Sequence, residues 1–351
     1  MKKIIDFRSD TVTLPTDEML NGFSTAHLGD DVFEEDPTVN QLEKLAADLT
    51  GKQSALFVPS GTMGNLISGL VHCCRGDEAI IGSQSHMFLY EAGGLSALGG
   101  IFPHVLENNP DGTIDINLIK QARRADNVHF PKTRLICLEN THNMCFGTPL
   151  SAGYMKEVYE FAEENNLKVH LDGARIFNAS VALGIDIKEL TCFCHSISLC
   201  LSKGLCAPVG SMICSTKEFI YEARRCRKML GGGMRQAGVI ASAGIIAMKD
   251  MKNRLVEDHE NAKFLAKGLE TIDGIGIDAE RVSTNILYFN VSANHDPEKF
   301  VSELEDNGIR IMHRGENEFR MVTHKDINSN DIEESIKFIK KMMINRRNEK
   351  L

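Results

Sequence analysis

Several signatures of common protein classes are missing from this chain of 351 residues. None of its ten cysteines forms a C-x-x-C pair, which argues against a structural zinc site, and we expect no metal ligand set. No apolar run approaches the roughly 18 residues of a membrane span, and the N-terminus lacks the apolar core of a signal peptide. Together with unpaired thiols, this predicts a cytoplasmic protein without a membrane segment.

The chain also lacks an excess of positive charge. It has 39 Lys and Arg against 48 Asp and Glu, a net charge of −9, which argues against nucleic acid or a membrane surface as the main partner. Its glycine-rich stretches match neither a dinucleotide fingerprint nor a P-loop. A Ser-x-x-Lys nucleophile motif ending at Lys203 would need serine where Cys200 stands, so serine-nucleophile chemistry is not indicated either.

What the chain does have is an alternation of short apolar runs and helical patterns. This alternation indicates crossover connections and an α/β fold with a mainly parallel sheet. The alternation of strand and helix patterns changes after residue 250. We therefore expect an N-terminal arm at 1–20, a large domain at 21–250 and a smaller C-terminal α/β domain at 251–351. The predicted strands of the large domain lie at 54–59, 78–82, 134–139, 168–172, 196–201 and 210–214, and its predicted helices lie at 37–51, 66–74 and 155–165, with a long helix from 236 towards 269.

Two of the predicted strands end at residues of opposite charge type, a lysine and an aspartate. One strand is followed by Lys203 in a Ser-Lys-Gly turn, and the other ends at Asp172. Burial at the end of an apolar strand favours the neutral amine that a Schiff-base lysine needs, and an aspartate can pair with a pyridinium nitrogen. Since ligands of parallel sheets bind at the carboxyl ends of strands, the pair predicts a pyridoxal phosphate (PLP) site. Lys203 alone would more often be a solvated loop lysine.

Other polar residues follow predicted strands in the same way. Ser60-Gly61-Thr62 opens a helix, where free N–H groups and the helix dipole suit a phosphate, although Ser and Thr are also ordinary helix caps. His86 and His142 each follow a strand and could stack on a cofactor ring or act as a base; each is equally compatible with a polar loop. Two histidines at two strand ends favour a shared cleft.

Arginines provide candidate sites for an anionic substrate. Arg175 lies three residues after Asp172, and Arg320 lies in an apolar strand where an unpaired charge would be costly. A guanidinium fork binds a carboxylate through two hydrogen bonds, so both arginines are candidates for a substrate carboxylate, with ordinary ion pairs as the alternative.

A basic run at residues 224–228 is expected on a solvated helix face. Lys228 and Arg235 flank three glycines at 231–233, which allow the backbone to approach closely. These two cations are therefore expected to reach an anion site, which could belong to a neighbouring subunit.

Nine longer stretches, taken in order, resemble the low-specificity L-threonine aldolases. These are PLP-dependent enzymes of the aspartate aminotransferase fold (fold type I) within the β-eliminating lyase group. The similarity extends through essentially the whole chain. The stretches lie at 6–13, 29–32, 35–38, 57–65, 139–143, 169–180, 201–211, 227–238 and 322–326.

The resemblance implies roles around the cofactor. Lys203 corresponds to the Schiff-base lysine, Asp172 to the partner of the pyridinium nitrogen, and His86 to the histidine stacked on the ring. The residues implied at the phosphate are Gly61, Thr62 and, as an additional donor, Ser202.

The resemblance also implies roles around the substrate and between subunits. Ser9, Arg175 and Arg320 correspond to the substrate carboxylate site, and His142 to a histidine near the substrate hydroxyl. The family is typically a homotetramer of two catalytic dimers. Its adjacent subunits contribute the residues that correspond to Lys228 and Arg235.

The implied reaction is retro-aldol cleavage of L-threonine and L-allo-threonine to glycine and acetaldehyde. This places the chain in threonine catabolism and glycine biosynthesis. Two alternatives stay open at this stage. The same scaffold could carry β-elimination or racemisation of an amino acid, or the chain could be a non-catalytic binding subunit, against which the presence of Lys203, Asp172 and Arg320 argues.

Overall fold

The computed structural model describes residues 3–292 and 296–348. The chain divides into two compact units. One contains residues 15–252, and the other is built from both ends of the chain, up to residue 14 and from residue 253 onwards. Within the described residues, every helix is too short or too polar to cross a bilayer.

The strands are numbered in chain order. They are β1 (Ile5–Asp6), β2 (Ser54–Val58), β3 (Glu78–Gly82), β4 (Phe102–Leu106), β5 (Thr133–Glu139), β6 (Lys168–Asp172), β7 (Ser196–Cys200), β8 (Ser211–Ser215), β9 (Ile275–Gly276), β10 (Ile286–Val291), β11 (Ile309–Arg310), β12 (Met312–Gly315) and β13 (Glu318–Val322). Every strand predicted between residues 54 and 215 is present, with ends within one residue of the prediction.

The α-helices are numbered in the same way. They are α1 (Asp17–Thr25), α2 (Pro37–Thr50), α3 (Gly61–His72), α4 (His86–Leu89), α5 (Gly94–Ala97), α6 (Ile116–Ala122), α7 (Ala152–Glu164), α8 (Ile176–Leu183), α9 (Ile187–Thr191), α10 (Lys217–Met229), α11 (Gly238–Lys249), α12 (Leu255–Glu270), α13 (Pro297–Asp306) and α14 (Ser329–Asn348). Short 3-10 helices lie at Asp10–Val12, Asp31–Phe33, Met251–Arg254 and Ala279–Arg281.

A seven-stranded sheet forms the centre of the unit at 15–252. Its strand order is β2-β8-β7-β6-β5-β3-β4, and only β8 runs against the others. The predicted mainly parallel sheet is thus confirmed. Strands β3, β7 and β8 are buried along their whole length, as expected for a sheet with both faces covered. Six parallel strands consequently end at one edge of the sheet.

Helix α3 packs unusually close to this sheet. Ser60 caps its N-terminus by accepting a hydrogen bond from the Met63 N–H at 3.2 Å. A Cβ at Gly61 would lie 2.9 Å from Cys200 Sγ, and one at Gly64 would lie 3.3 Å from Ser198 Cβ. Glycine at these two positions therefore lets the start of α3 lie directly against β7.

The second unit joins the N-terminus to the C-terminal residues. Strands β12, β13, β10 and β9 form an antiparallel sheet, and β1 pairs in parallel with β11. Its core includes three phenylalanine rings from β10, α13 and β13, with neighbouring centroids 5.0 to 6.4 Å apart. These rings belong to Phe289, Phe300 and Phe319.

Two element predictions need correction. The N-terminal arm at 1–20, which we expected to be extended, contains the start of a helix, because α1 begins at Asp17, where the Thr16 hydroxyl accepts from the Met19 N–H. The long helix expected from 236 to 269 is interrupted by the 3-10 helix Met251–Arg254. Residues 249–254 are polar except for one methionine, so they lack the apolar periodicity that would carry a helix through.

The expectation that residues 224–228 lie on a solvated helix face holds for Arg225 and Lys228, which are exposed, but not for Arg227. Arg227 has only 2% of its side-chain surface exposed. Its Nη1 donates to the Phe57 carbonyl at 2.7 Å, and its Nη2 donates to Asp31 Oδ2 at 2.6 Å. Arg227 lies four residues after the buried Ala223, so the helical repeat of α10 turns it towards the core, where the Asp31 carboxylate compensates its charge.

Replacing Arg227 by alanine is expected to lower the free energy of unfolding by about 3–5 kcal/mol, because it leaves the buried Asp31 carboxylate without its main partner. The matched control is Arg225→Ala on the same helix, where the side chain is 69% exposed. Urea unfolding followed by circular dichroism measures both. Equal, small effects of the two substitutions would contradict this account of the buried pair.

Candidate functional site

A cavity of about 270 Å³ lies at the edge of the seven-stranded sheet where the parallel strands end. Its wall is built from segments that follow β2, β3, β6 and β7 and from the residues just before β8. Six of the residues singled out from the sequence meet there, although up to 142 positions separate them in the chain. They are Gly61, Thr62, His86, Asp172, Ser202 and Lys203.

The N-terminus of α3 forms one side of this cavity. Gly61 and Thr62 are its first two residues, and N–H groups in a first helical turn have no partner within the helix. A side chain at residue 61 would collide with Cys200 Sγ, so only glycine lets this helix start lie against β7 at the cavity. The arrangement suits an anion such as a phosphate.

Lys203 and Asp172 form the other side. Lys203 is half-buried and follows β7, in a turn closed by a hydrogen bond from the Cys206 N–H to the Lys203 carbonyl at 2.8 Å. Asp172 ends β6 and is 3% exposed. Its Oδ1 accepts from the Ala174 N–H at 3.1 Å and its Oδ2 from Asn65 Nδ2 at 2.9 Å. An amine and a carboxylate thus line the same small cavity.

His86 begins the short helix α4 and is held by two carboxylates. Its backbone N–H donates to Glu139 Oε2 at 2.7 Å, and its Nδ1 lies 2.9 Å from Glu91 Oε1. Burial lowers the pKa of His86, but the hydrogen bond to Glu91 and the charges of Asp172 and Glu91 outweigh it, so the pKa lies above its usual value. With Glu91 ionised, its carboxylate accepts from a proton on Nδ1 and leaves Nε2 for other contacts.

Sequence reasoning missed three residues that organise this cavity. Asn65 and Glu91 line it, and Glu139 ties its neighbouring loops together by accepting from the N–H groups of His86 and Asn143. Asn65 could have been singled out from the sequence, because it is an amide inside an otherwise apolar helical stretch. Asparagine has a low helix propensity, and a buried amide needs hydrogen-bond partners.

His142 is not part of the cavity wall. It is 1% exposed, and within the described residues neither ring nitrogen has a hydrogen-bond partner. Its backbone N–H donates to the Thr148 carbonyl at 3.0 Å, and a Cβ at Gly112 would lie 2.7 Å from its own Cβ. A buried imidazole without a protein partner suits a residue that meets a ligand, though not through the surfaces that form this cavity.

Three other predicted cations of this unit also lie outside the cavity wall. Arg175 is buried at the start of α8, directly after the wall residue Ala174. Lys228 is exposed on α10. Arg235 is 55% exposed, and its Nη1 lies 2.9 Å from Asp30 Oδ2. A residue exposed in one chain can only complete a site on its own surface or on a second copy.

Ser9 and Arg320 belong to the unit built from the chain ends. Ser9 caps the 3-10 helix Asp10–Val12, with its Oγ accepting from the Thr11 N–H at 3.2 Å. Arg320 is buried on β13 and donates from Nη2 to the Arg8 carbonyl at 2.8 Å. The two residues, 311 positions apart in sequence, thus come from segments in direct contact.

Behind Asp172 lies a buried histidine that must stay neutral. His170 is fully enclosed on β6, and burial lowers its pKa to about 4. In the unfolded chain the same group takes up a proton near its usual value of about 6.5. The unfolded state therefore binds more protons between these two values, and stability must fall as the pH falls through this window.

For His170 alone, the loss amounts to about 3 kcal/mol between pH of roughly 6.5 and 4. We expect the variant His170→Gln to show a weaker decline of the unfolding free energy over this range than the unaltered protein. The exposed His129 offers the matched substitution, His129→Gln, which should leave the decline as it is. Urea unfolding in a series of buffers checks this, and identical pH profiles for all three proteins would refute it.

Comparison with known proteins agrees with the geometry. The sequence pattern of the family described as Beta-eliminating lyase matches residues 6–293. The probable low-specificity L-threonine aldolase 2 of Arabidopsis thaliana is 46% identical over 338 residues, with 94% of this chain and 95% of the relative covered. The low specificity L-threonine aldolase of Escherichia coli K12 is 44% identical, with 94% and 97% covered. The structure of a Leishmania major threonine aldolase superposes with a TM-score of 0.80 at 20% identity, with 97% and 99% covered.

The parallel sheet and the cavity at its carboxyl edge define an α/β enzyme with the fold of the PLP-dependent enzymes of fold type I. Sequence similarity extends over nearly the full length of the relatives. The chain belongs to the beta-eliminating lyase family.

Proposed function

We propose that this protein is a PLP-dependent aldolase that cleaves L-threonine and L-allo-threonine to glycine and acetaldehyde. The observation that carries the proposal is the meeting of Lys203, Asp172 and His86 with the N-terminus of α3 in one cavity. The relatives named as low-specificity L-threonine aldolases support the substrate class, because they are 44–46% identical over more than nine-tenths of the chain.

The residues in the cavity fit the chemistry of PLP. The open N–H groups at Gly61 and Thr62, with Ser202, would hold the phosphate, and Lys203 would bind the aldehyde carbon. Asp172 would keep a proton on the ring nitrogen, and His86 would cover the ring face. When bound, the cofactor supplies an electron sink for the pair released from the broken Cα–Cβ bond.

The orientation of the substrate is assigned to groups that recognise a carboxylate. We propose Ser9, Arg175 and Arg320 for this role, because a guanidinium fork binds a carboxylate with defined geometry. Both arginines are buried. Holding the carboxylate and the amine of the substrate would set the Cα–Cβ bond perpendicular to the ring, which favours cleavage of that bond over loss of the α-proton.

A proton must leave the β-hydroxyl as the bond breaks. We propose that His86 or His142 takes it, directly or through water. Glu91 holds the proton of His86 on Nδ1, which leaves Nε2 as the atom that could accept one. His142 supports the alternative because both of its ring nitrogens are buried without a protein partner in the described residues. Groups that hold the carboxylate and the amine would enforce the L configuration at Cα, whereas fewer groups would hold Cβ, so both diastereomers should react.

The proposal extends to the assembly and the cell. We propose a cytoplasmic homotetramer of two catalytic dimers that acts in threonine catabolism and glycine biosynthesis. Lys228 and Arg235 would reach the cofactor site of the adjacent subunit, which their exposure in one chain supports. The exposed Phe33 and Met229, each 70% accessible, provide apolar surface for such an interface. Ten free cysteines support a reducing compartment.

The decisive test supplies purified protein with PLP and either L-threonine or L-allo-threonine, and measures all products. From each of the two substrates we expect glycine and acetaldehyde to be released in equal amounts. We expect neither product from D-threonine. Ammonia and a keto acid in their place would reject the aldolase and indicate β-elimination, to which the family description points. Interconversion of L and D substrate without cleavage would indicate racemisation.

A further inference from the structure

Two buried carboxylates share one hydrogen-bond donor at the cavity. Asn65 Nδ2 donates to Asp172 Oδ2 at 2.9 Å and to Glu91 Oε1 at 2.7 Å. Asp172 and Glu91 are 3% and 6% exposed, so little water screens them from each other. Two like charges this close normally force one of the groups to keep a proton. A donor between them offsets that repulsion, because each N–H group faces one negative oxygen.

The opposite side of the same amide fixes its orientation. Asn65 Oδ1 accepts from Ser198 Oγ and from His170 Nε2, the latter at 3.0 Å. All four hydrogen-bonding positions of the amide are thus used, two as donor and two as acceptor. Turning the amide over would aim its oxygen at two carboxylates, so only one orientation is compatible with this environment.

A buried chain of donors supports this orientation from further away. For His170 to donate from Nε2 in its neutral form, its Nδ1 must accept, and Ser196 Oγ lies 2.9 Å from it. Ser196 in turn lies 2.8 Å from Nε2 of His72. Burial lowers the pKa of both histidines, which keeps them neutral and leaves one tautomer consistent with the chain. Every donor along it consequently points towards the two carboxylates.

We propose that Asn65 is a positioning residue that keeps Asp172 and Glu91 ionised side by side, so that one carboxylate serves the cofactor ring while the other orients His86. The inference rests on the proposed function of the cavity. The inference adds to that function a residue that acts through its neighbours, because the ionised state of both carboxylates depends on the Asn65 amide.

The other titratable groups around this pair do not replace the amide. His86 bonds to Glu91 from α4, and Lys203, which follows β7, lies on the same side of the cavity as Asp172. His170 on β6 is held neutral, and burial raises the pKa of the Cys137 thiol on β5 well above its usual value, so that group is neutral too. Burial, followed by the charge of Asp172, raises the pKa of Glu91. Within the described residues, Asn65 is the group that bonds to both carboxylates.

The test counts protons on the carboxylates directly. Infrared difference spectra of the holoprotein at pH of about 7.5 report the carbonyl stretch of a protonated carboxyl group, which shifts in heavy water. Asn65→Leu removes the donor, and Asn65→Asp keeps the shape but adds a third carboxyl. Relative to the unaltered protein, we expect each variant to gain roughly one protonated carboxyl per chain.

Three further variants make the result specific. Adding Glu91→Gln to Asn65→Leu should abolish the new band, because Asp172 then lacks a like charge beside it. Glu91→Gln alone should leave the unaltered spectrum unchanged. Ser68→Ala, a buried control on α3 whose hydroxyl donates to the Gly64 carbonyl, should add no band. Thermal unfolding confirms that each variant is folded.

Two outcomes would overturn the inference. The first is that Asn65→Leu and Asn65→Asp both fold and neither gains a protonated carboxyl. The second is that the unaltered protein already shows a protonated-carboxyl band and that Glu91→Gln removes it. The proposed aldolase activity is separable from both. If the unaltered protein fails to release glycine, the function is rejected while the infrared result still decides the role of Asn65. If it releases glycine and the spectra do not change, only the positioning role fails.

Discussion

Replacing Lys203 by alanine is expected to remove the visible absorption of the protein with PLP, a band at about 420 nm for this class of cofactor, and to lower kcat/KM for L-threonine by about four orders of magnitude. Lys203 is the only lysine lining the cavity at the end of the parallel strands in the part of the chain that the structure describes. Without its amine, the cofactor would be held by the phosphate and ring contacts alone.

The matched control for this prediction is Lys217→Ala. Lys217 is exposed at the start of α10 in the same unit and is not part of the cavity wall. It should keep both the band and the activity. Absorbance spectra and a coupled assay for acetaldehyde measure the two effects. A Lys203→Ala protein that retains the band would show that another amine binds the aldehyde, and the assignment of the site would have to be abandoned.

Replacing Asp172 by asparagine should lower kcat/KM by about three orders of magnitude, roughly 4 kcal/mol of transition-state stabilisation. The substitution keeps the shape but removes the negative charge that would hold a proton on the cofactor ring. It also disturbs local bonding. Oδ1 and Oδ2 of Asp172 both accept from N–H donors, of Ala174 and Asn65, so the new amide must turn its own donor towards one of them.

The control for this change is Asp48→Asn, an exposed position on α2. Steady-state kinetics with L-threonine, together with the visible spectrum, separate loss of cofactor from loss of turnover. The expected pattern is a folded Asp172→Asn protein that binds PLP with a changed spectrum and turns over slowly. Activity within about tenfold of the unaltered protein would mean that the carboxylate charge does little for the reaction.

Much of the architecture could be predicted because it depends on local patterns. Strands β3 and β6 coincide with the apolar runs at 78–82 and 168–172, since a strand buried on both faces is a short continuous apolar stretch bounded by turn residues. Helix α3 was predicted to begin at residue 66 but begins at Gly61. Two glycines in its first turns argue against a helix on intrinsic propensity, and their close packing on β7 outweighs that cost.

The residue types of the candidate site could also be read from the order of the chain. Lys203 and Asp172 follow apolar strands, and parallel strands end at one edge, so a lysine and an aspartate had to meet there. Neither His142 nor Arg175 was placed in that cavity by the fold. Position relative to a strand end predicts the edge of the sheet, but it does not predict which side of a loop a side chain lies on.

The sequence by itself determined the parallel sheet, the edge at which its strands end and the chemistry gathered there, because periodicity and strand ends are properties of adjacent residues. Only the tertiary structure decided that Arg227 is buried against Asp31 and that Asn65 joins Glu91 to Asp172. The members of these contacts are 196, 26 and 107 residues apart. Their energies depend on burial and on the partners that folding brings within hydrogen-bond distance, and no local pattern of residues contains that information.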